Sequence, residues 1–247
     1  MTRHPLFLSI TAAAALVLAA PAFAATPAPV AAAVADPGRP AADTARDAAR
    51  KPAEMLAFAG LKPGEVVLEV LPGGGYFTRL ISKVVGPKGH VYAGAPAGKY
   101  REAAATIAAD PAYANVTVVG LDPTSMKDVP PLDLIWTSQN YHDLHLTQVH
   151  VDPVALDKVW FAALKPGGTL IVSDHVALPG APVTATADAL HRIDPAAARK
   201  EIESAGFVFD GESQALRNPS DPHTANVFDP AIKGMTDQFA FRFKKPG

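Results

Sequence analysis

Cysteine is absent from the 247 residues, which excludes disulfide cross-links and thiolate chemistry and lets the chain fold in an oxidising compartment without mispairing. Charge of one sign is not in excess either. Lysine and arginine number 22 against 24 acidic residues, a formal charge of -2 with a pI near 6.4, so nucleic acid and anionic membrane are not favoured partners. Aromatic residues make up only 7%, and no aromatic clamp or charged patch selective for one substrate can be assigned from spacing. Long apolar runs are equally scarce: only the stretch from about Leu6 to Ala20 qualifies. It is shorter than the roughly 20 residues that span a bilayer.

What is present begins with that run. Thr2, Arg3 and His4 precede it as a short basic start, and Ala22-Phe23-Ala24 follows with small residues where a signal peptidase reads. Residues 1–24 are expected to be a signal peptide cut after Ala24, giving an exported, periplasmic protein with no stable membrane insertion after cleavage. Residues 25–42 are alanine and proline with little else, and are expected to be a flexible leader. Residues 43–247, in a chain that is 49% hydrophobic, suffice for one domain.

Alternation organises that domain. Asp43 is placed to cap a helix carrying Ala48, Met55, Leu56 and Phe58 inward, with Pro52 kinking it and Gly60 ending it. Val66 to Val70 is a short continuous apolar run suited to a strand buried on both faces, and Phe77, Leu80, Ile81, Val84 and Val85 have helical spacing. Further strands are expected near Val91, at Val116–Val119, Leu132–Trp136 and Thr169–Ser173. Helices are expected from about Tyr100 to Ala108, from Pro153 to Leu164 after the cap Asp152, and after Asp194-Pro195. Phe207–Phe209 and Gln238–Phe243 close the chain as strands, the last reading as a half-buried antiparallel edge. The sum is a Rossmann-like α/β domain: a mostly parallel, seven-stranded sheet with helices on both faces and an antiparallel closing strand.

In such a sheet ligands bind beyond the carboxyl ends of the strands, where the winding reverses. Glu69-Val70-Leu71-Pro72-Gly73-Gly74-Gly75-Tyr76 lies there after the first strand, and its glycines allow a tight turn and close approach of a ligand to backbone and helix N-terminus. Steric demands of a strand-to-helix turn would also explain glycine here. The fourth strand ends in Thr137-Ser138-Gln139-Asn140-Tyr141-His142-Asp143, where Asn140 and Gln139 can fix a substrate and His142 with Asp143 can form a proton-accepting pair. The same residues also suit a polar loop capping the next helix. Asp174 and His175 end the fifth strand, and His191, Arg192 and Asp194 follow in the next connection. No spacing among them is diagnostic of a metal site. Asn218 to His223, with Pro219 and Pro222, suits either a lid or a rigid surface connection.

Taken together, Pro72-Gly73-Gly74-Gly75-Tyr76, Asn140-Tyr141-His142-Asp143, Asp174-His175, His191-Arg192-Ile193-Asp194 and Leu216-Arg217-Asn218-Pro219 resemble the class I S-adenosylmethionine-dependent methyltransferases, and within them a group of exported bacterial proteins. The resemblance implies methyl transfer from S-adenosyl-L-methionine to a small molecule. It gives cofactor roles to Glu69, Leu71, Gly73, Gly74, Gly75, Tyr76, Asp122, Ser138 and Asn140, and catalytic roles to His142, Asp143 and His175. Two positions depart from the family pattern. Leu71 stands where the turn's first glycine is usual, and the second strand ends Tyr92-Ala93-Gly94-Ala95-Pro96 without the acid that grips the ribose hydroxyls. Both also suit the alternative reading, an exported binding or accessory protein that keeps the fold without the cofactor.

Overall fold

The computed structural model describes residues 25–247; the expected signal peptide lies outside the described residues. Four helices come first: α1 (Ala28–Val34), α2 (Ala41–Thr44), α3 (Asp47–Arg50) and α4 (Pro52–Ala59). The alternation then runs β1 (Val66–Val70), α5 (Tyr76–Val85), β2 (His90–Gly94), α6 (Lys99–Ala108), β3 (Val116–Val119), α7 (Pro123–Met126) and β4 (Leu132–Ser138). It continues with α8 (Pro153–Ala163), β5 (Leu164–His175), α9 (Val183–Leu190), α10 (Pro195–Ser204), β6 (Val208–Glu212) and β7 (Gln238–Lys244). No helix among the described residues is long and apolar enough to cross a membrane.

The seven strands form one sheet in the order β3-β2-β1-β4-β5-β7-β6, parallel from β3 to β5, with β7 antiparallel to both β5 and β6. Alternating side chains feed two cores. Val67, Leu134, Trp136 and Ile171 meet α4 and α5 on one face, whereas Leu68, Ile135, Leu170 and Val172 meet Trp160 of α8 and Ile202 of α10 on the other. α5 buries Phe77, Leu80, Ile81, Val84 and Val85, the stripe its spacing predicts. Its capping position, Gly75, is left-handed at φ 79°.

Three expectations are corrected. The closing strand is not an edge: β7 lies between β5 and β6, and β6 is the edge, because the register Thr169↔Lys244 to His175↔Gln238 inserts β7 beside the buried β5. Asp43 does not start one long kinked helix but lies inside α2, and Pro52 opens the separate helix α4 at its first turn. Residues 25–42 are not a flexible leader. Val30 and Ala33, three residues apart on α1, are buried against α4 and α5. The segment that follows is tied by polar groups: Arg39 makes a two-pronged ion pair with Asp47, which also accepts the Tyr76 hydroxyl at 2.6 Å, and Asp43 pairs with Arg79 of α5 at 2.8 Å. Alanine-proline composition hid this because a single valine and a single alanine do the packing.

Truncating Val30 to alanine should therefore destabilise the whole domain by roughly 1–3 kcal/mol in a denaturant melt, as for a core residue. An unchanged midpoint would return the segment to the status of a leader.

Candidate functional site

β1 and β4 are neighbours, and the connection leaving β1 runs toward β2 whereas that leaving β4 runs the opposite way toward β5, so a crevice opens at the carboxyl ends of the two. A cavity of about 990 Å³ occupies this place. Its lining joins the end of β1 (Glu69, Val70, Leu71), the turn (Pro72, Gly73, Gly74, Tyr76), the end of β4 (Ser138, Gln139, Asn140) and a polar rim of His142, Asp143, His175 and His191. Asp122 and Leu121, after β3, line its far side.

The three glycines of the turn have different tasks. Gly73 is left-handed at φ 56°, and a Cβ on Gly73 or Gly74 would meet no protein atom within 4 Å. At Gly75, left-handed at φ 79°, a Cβ would also fall 1.8 Å from Cδ1 of Ile107 on α6, so backbone conformation and space together favour glycine there. Leu71 takes the left-handed conformation at φ 51°, a backbone region that ordinarily favours glycine. Its amide donates to the Gly94 carbonyl at 2.8 Å, and its carbonyl accepts from the Asn140 side chain.

Glu69 is buried, and its Oε2 has no hydrogen-bond partner. Burial pushes its carboxyl up to about 7, against the opposing pull of Thr78 and of the Arg50 and Arg79 charges. Arg50 lines the same cavity. Its Nη2 donates to Gln139 Oε1 at 2.8 Å, and its guanidinium lies 4.9 Å from the Tyr76 ring centre, while no carboxylate stands within ion-pair distance among the described residues. Sequence reasoning missed Arg50, because a lone arginine ahead of Pro52 carries no signal until α3 is folded over the turn.

The run after β4 divides between structural and open roles. Asn140 is buried and donates to the carbonyls of Val70 (3.0 Å) and Leu71 (3.2 Å), with Oδ1 accepting from Thr137; it fastens the end of β4 to the end of β1. Ser138 accepts from Ser173 at 3.1 Å. His142 and Asp143 open a short 3-10 turn, His142–His145. The fully buried Asp174 grips His142 twice, accepting from its amide at 2.7 Å and lying 2.8 Å from Nδ1, while His142 Nε2 faces Asp143 at 3.1 Å. Burial alone would lower the pKa of His142, but Asp174 and Asp143 outweigh it and raise it to about 10. The ring is thus an imidazolium at neutral pH, already carrying the proton it was expected to accept. Burial instead lowers His175 to about 4, only partly opposed by Asp174, and its Nδ1 lies 2.8 Å from Thr236 Oγ1.

Asp122 caps α7. Its Oδ1 accepts from the amides of Thr124 and Ser125 and its Oδ2 from the Ser125 hydroxyl, so both oxygens are engaged. Asp194 likewise caps α10 through the Ala196 amide. The segment around Asn218–His223 is a rigid connection. Arg192, fully buried, pairs with Asp221 at 2.8 Å and donates to the carbonyls of Val176 and Ala225, while Asp237 accepts from Arg217, Asn218 and His223.

No protein-family model and no curated relative matches the chain. Solved structures do. A SAM-dependent methyltransferase from Aquifex aeolicus superposes with a TM-score of 0.59 at 20% identity, over 81% of this chain and 92% of that one. The [4+2]-cyclase SpnF gives 0.56 at 17%, over 83% and 81%. Aeropyrum pernix fibrillarin, in complex with natively bound S-adenosyl-L-methionine, gives 0.53 at 15%, over 80% and 76%. The domain has the Rossmann-like fold of the S-adenosylmethionine-dependent methyltransferases. SpnF, a cyclase on the same fold, shows why the reaction must be argued from the site.

The raised carboxyl of Glu69 has a measurable sign. Its folded value near 7 lies above the ordinary 4.5, so the folded state holds the proton more tightly and stability falls as pH rises from about 4.5 through 7. Glu69→Gln should melt a few degrees above the parent at about pH 8.5 and together with it near pH 5, read by differential scanning fluorimetry. Equal melting points at both pH values would contradict an uncompensated carboxyl.

Proposed function

We propose that the chain is an exported methyltransferase that transfers the methyl group of S-adenosyl-L-methionine to a small molecule. The observation that carries this reading is the orphaned carboxylate oxygen of Glu69, buried beside a glycine turn whose Gly73 and Gly74 leave space for a ligand at the switch point of the sheet. An ammonium group would supply the donor that Glu69 lacks, and the unpaired Arg50 guanidinium suits a carboxylate. The two charges of an amino acid moiety therefore find complementary partners in the lining of one crevice.

Fit at the other half of the crevice is looser. β2 ends without an acid and the oxygens of Asp122 are engaged, so contacts there come from the apolar Leu121, Pro96 and Tyr100 that line it. One bidentate acceptor fewer weakens binding by about 1–3 kcal/mol, which sets affinity rather than chemistry.

Bound S-adenosyl-L-methionine supplies an electrophilic methyl group on a sulfonium. The protein's own task is alignment and the handling of one proton. Leu71 and Tyr76 pack the turn, with Ser138 and Asn140 behind it. Burial holds His175 neutral, with Nδ1 at Thr236, and both ring nitrogens of His142 face Asp174 and Asp143, so the two imidazoles serve alignment at the rim. The basic start, the apolar run of residues 6–20 and Ala22-Phe23-Ala24 support export.

Calorimetric titration of the full chain with S-adenosylhomocysteine tests the cofactor reading. Binding is expected, weakened about ten-fold by Arg50→Met, a loss of roughly 1.4 kcal/mol. Gly74→Val, whose side chain projects into open space at a residue without positive φ, should abolish it while the fold persists. No binding at millimolar ligand would sink the reading. Export is checked separately: N-terminal sequencing of secreted material should begin at Ala25.

A further inference from the structure

The rim of the crevice gathers donor atoms that methyl transfer does not require. His142 Nε2 lies 3.1 Å from Asp143 Oδ1, His191 Nδ1 lies 3.7 Å from the same oxygen, and one ligand atom from each of the three residues falls within 4.8 Å of the others. Around a tetrahedral ion with bonds near 2.1 Å, donors stand about 3.4 Å apart. The three atoms are thus within on the order of an ångström of a coordination triangle before any ion draws them in. From these contacts we infer that His142, Asp143 and His191 bind a divalent transition-metal ion of the zinc class.

Two further observations set this group apart from a chance meeting of polar side chains. His142 is oriented from behind. Asp174, with no exposed surface, lies 2.8 Å from its Nδ1 and accepts from its amide at 2.7 Å, so the ring points Nε2 toward Asp143 and His191. A carboxylate behind a histidine, fixing ring and tautomer, is the arrangement that metal-binding histidines ordinarily show. His191 is also pinned. It ends α9 in the left-handed conformation at φ 52°, next to the locked Arg192, and its ring stands edge-on between His142 at 5.4 Å and Phe228 at 4.9 Å.

Chemistry selects the ion. Two imidazoles and one carboxylate favour zinc, cobalt or iron over magnesium and calcium, which prefer all-oxygen shells. All three residues line the cavity, so a three-ligand site keeps its remaining position open toward whatever occupies that half of the crevice. The ion takes the place of the Nε2 proton that otherwise bridges His142 to Asp143. This site stands independently of the cofactor reading, since none of its donors is assigned to S-adenosyl-L-methionine.

The test uses the full chain stripped with chelator, then titrated with zinc by calorimetry and with cobalt by visible absorption. One ion per chain is expected, with the intense cobalt bands of a four-coordinate site and no displacement by millimolar magnesium. His191→Asn, chosen because asparagine tolerates the left-handed backbone, and Asp143→Asn should each weaken binding by at least about ten-fold. His150→Gln, an exposed histidine outside the group, should bind as the parent does. Circular dichroism and melting curves establish that each variant is folded. Absence of saturable zinc binding, or binding unchanged in both His191→Asn and Asp143→Asn, overturns the proposal. In either case the cluster is an ion pair alone. S-adenosylhomocysteine binding, measured on the same chelated protein, fails or succeeds separately.

Discussion

Everything at the crevice depends on how the carboxyl end of β4 is fastened to that of β1. The sheet must part there, because the connections leaving β1 and β4 run in opposite directions, and the pairing of the two strands ends at Val70 and Thr137. Asn140 supplies the missing link. Its amide donates to the carbonyl of Val70, the last residue of β1, and to that of Leu71 just beyond it, and its oxygen accepts from Thr137. Held in this way, β4 ends in a turn that presents His142 and Asp143 opposite the glycine turn, at a separation that no local sequence preference would set.

A second constraint acts through charge. Asp174 is sealed from water and would be costly as an isolated carboxylate. It persists because it receives two amides and one imidazole, and its own pKa is held below the usual range, with the His142 cation outweighing burial. The cost of burying it is offset by a ring fixed in direction. Arg192 and Asp221 repeat the device further along, where an equally buried pair anchors the connection from β6 to β7 and steadies His191 next to it.

The layered alternation was readable because apolar periodicity decides it: β1, α5, α8 and α10 fall where their spacing or caps place them. The candidate residues gathered at one crevice for the same reason, since strand ends of a doubly wound sheet converge. What could not be read was contact between distant segments. α1 offers two small apolar residues in an alanine-proline stretch, and only the surfaces of α4 and α5 make them core. Arg50 becomes a crevice residue through the fold of α3, and β7 becomes central through pairing that alternation alone does not specify. His142 reads as a base by type and is a cation by environment, a distinction that belongs to Asp174, 32 residues away.

The unlike surroundings of Gly74 and Gly75 bear on how this run would vary among related chains. Gly75 answers to the polypeptide itself, through its left-handed backbone at φ 79° and the Ile107 side chain beside it, so it should stay glycine whatever the protein binds. Gly74 answers to nothing within the polypeptide, and only an occupant of the crevice can hold it constant. Adjacent letters of one motif thus keep separate records, one of helix packing and one of ligand.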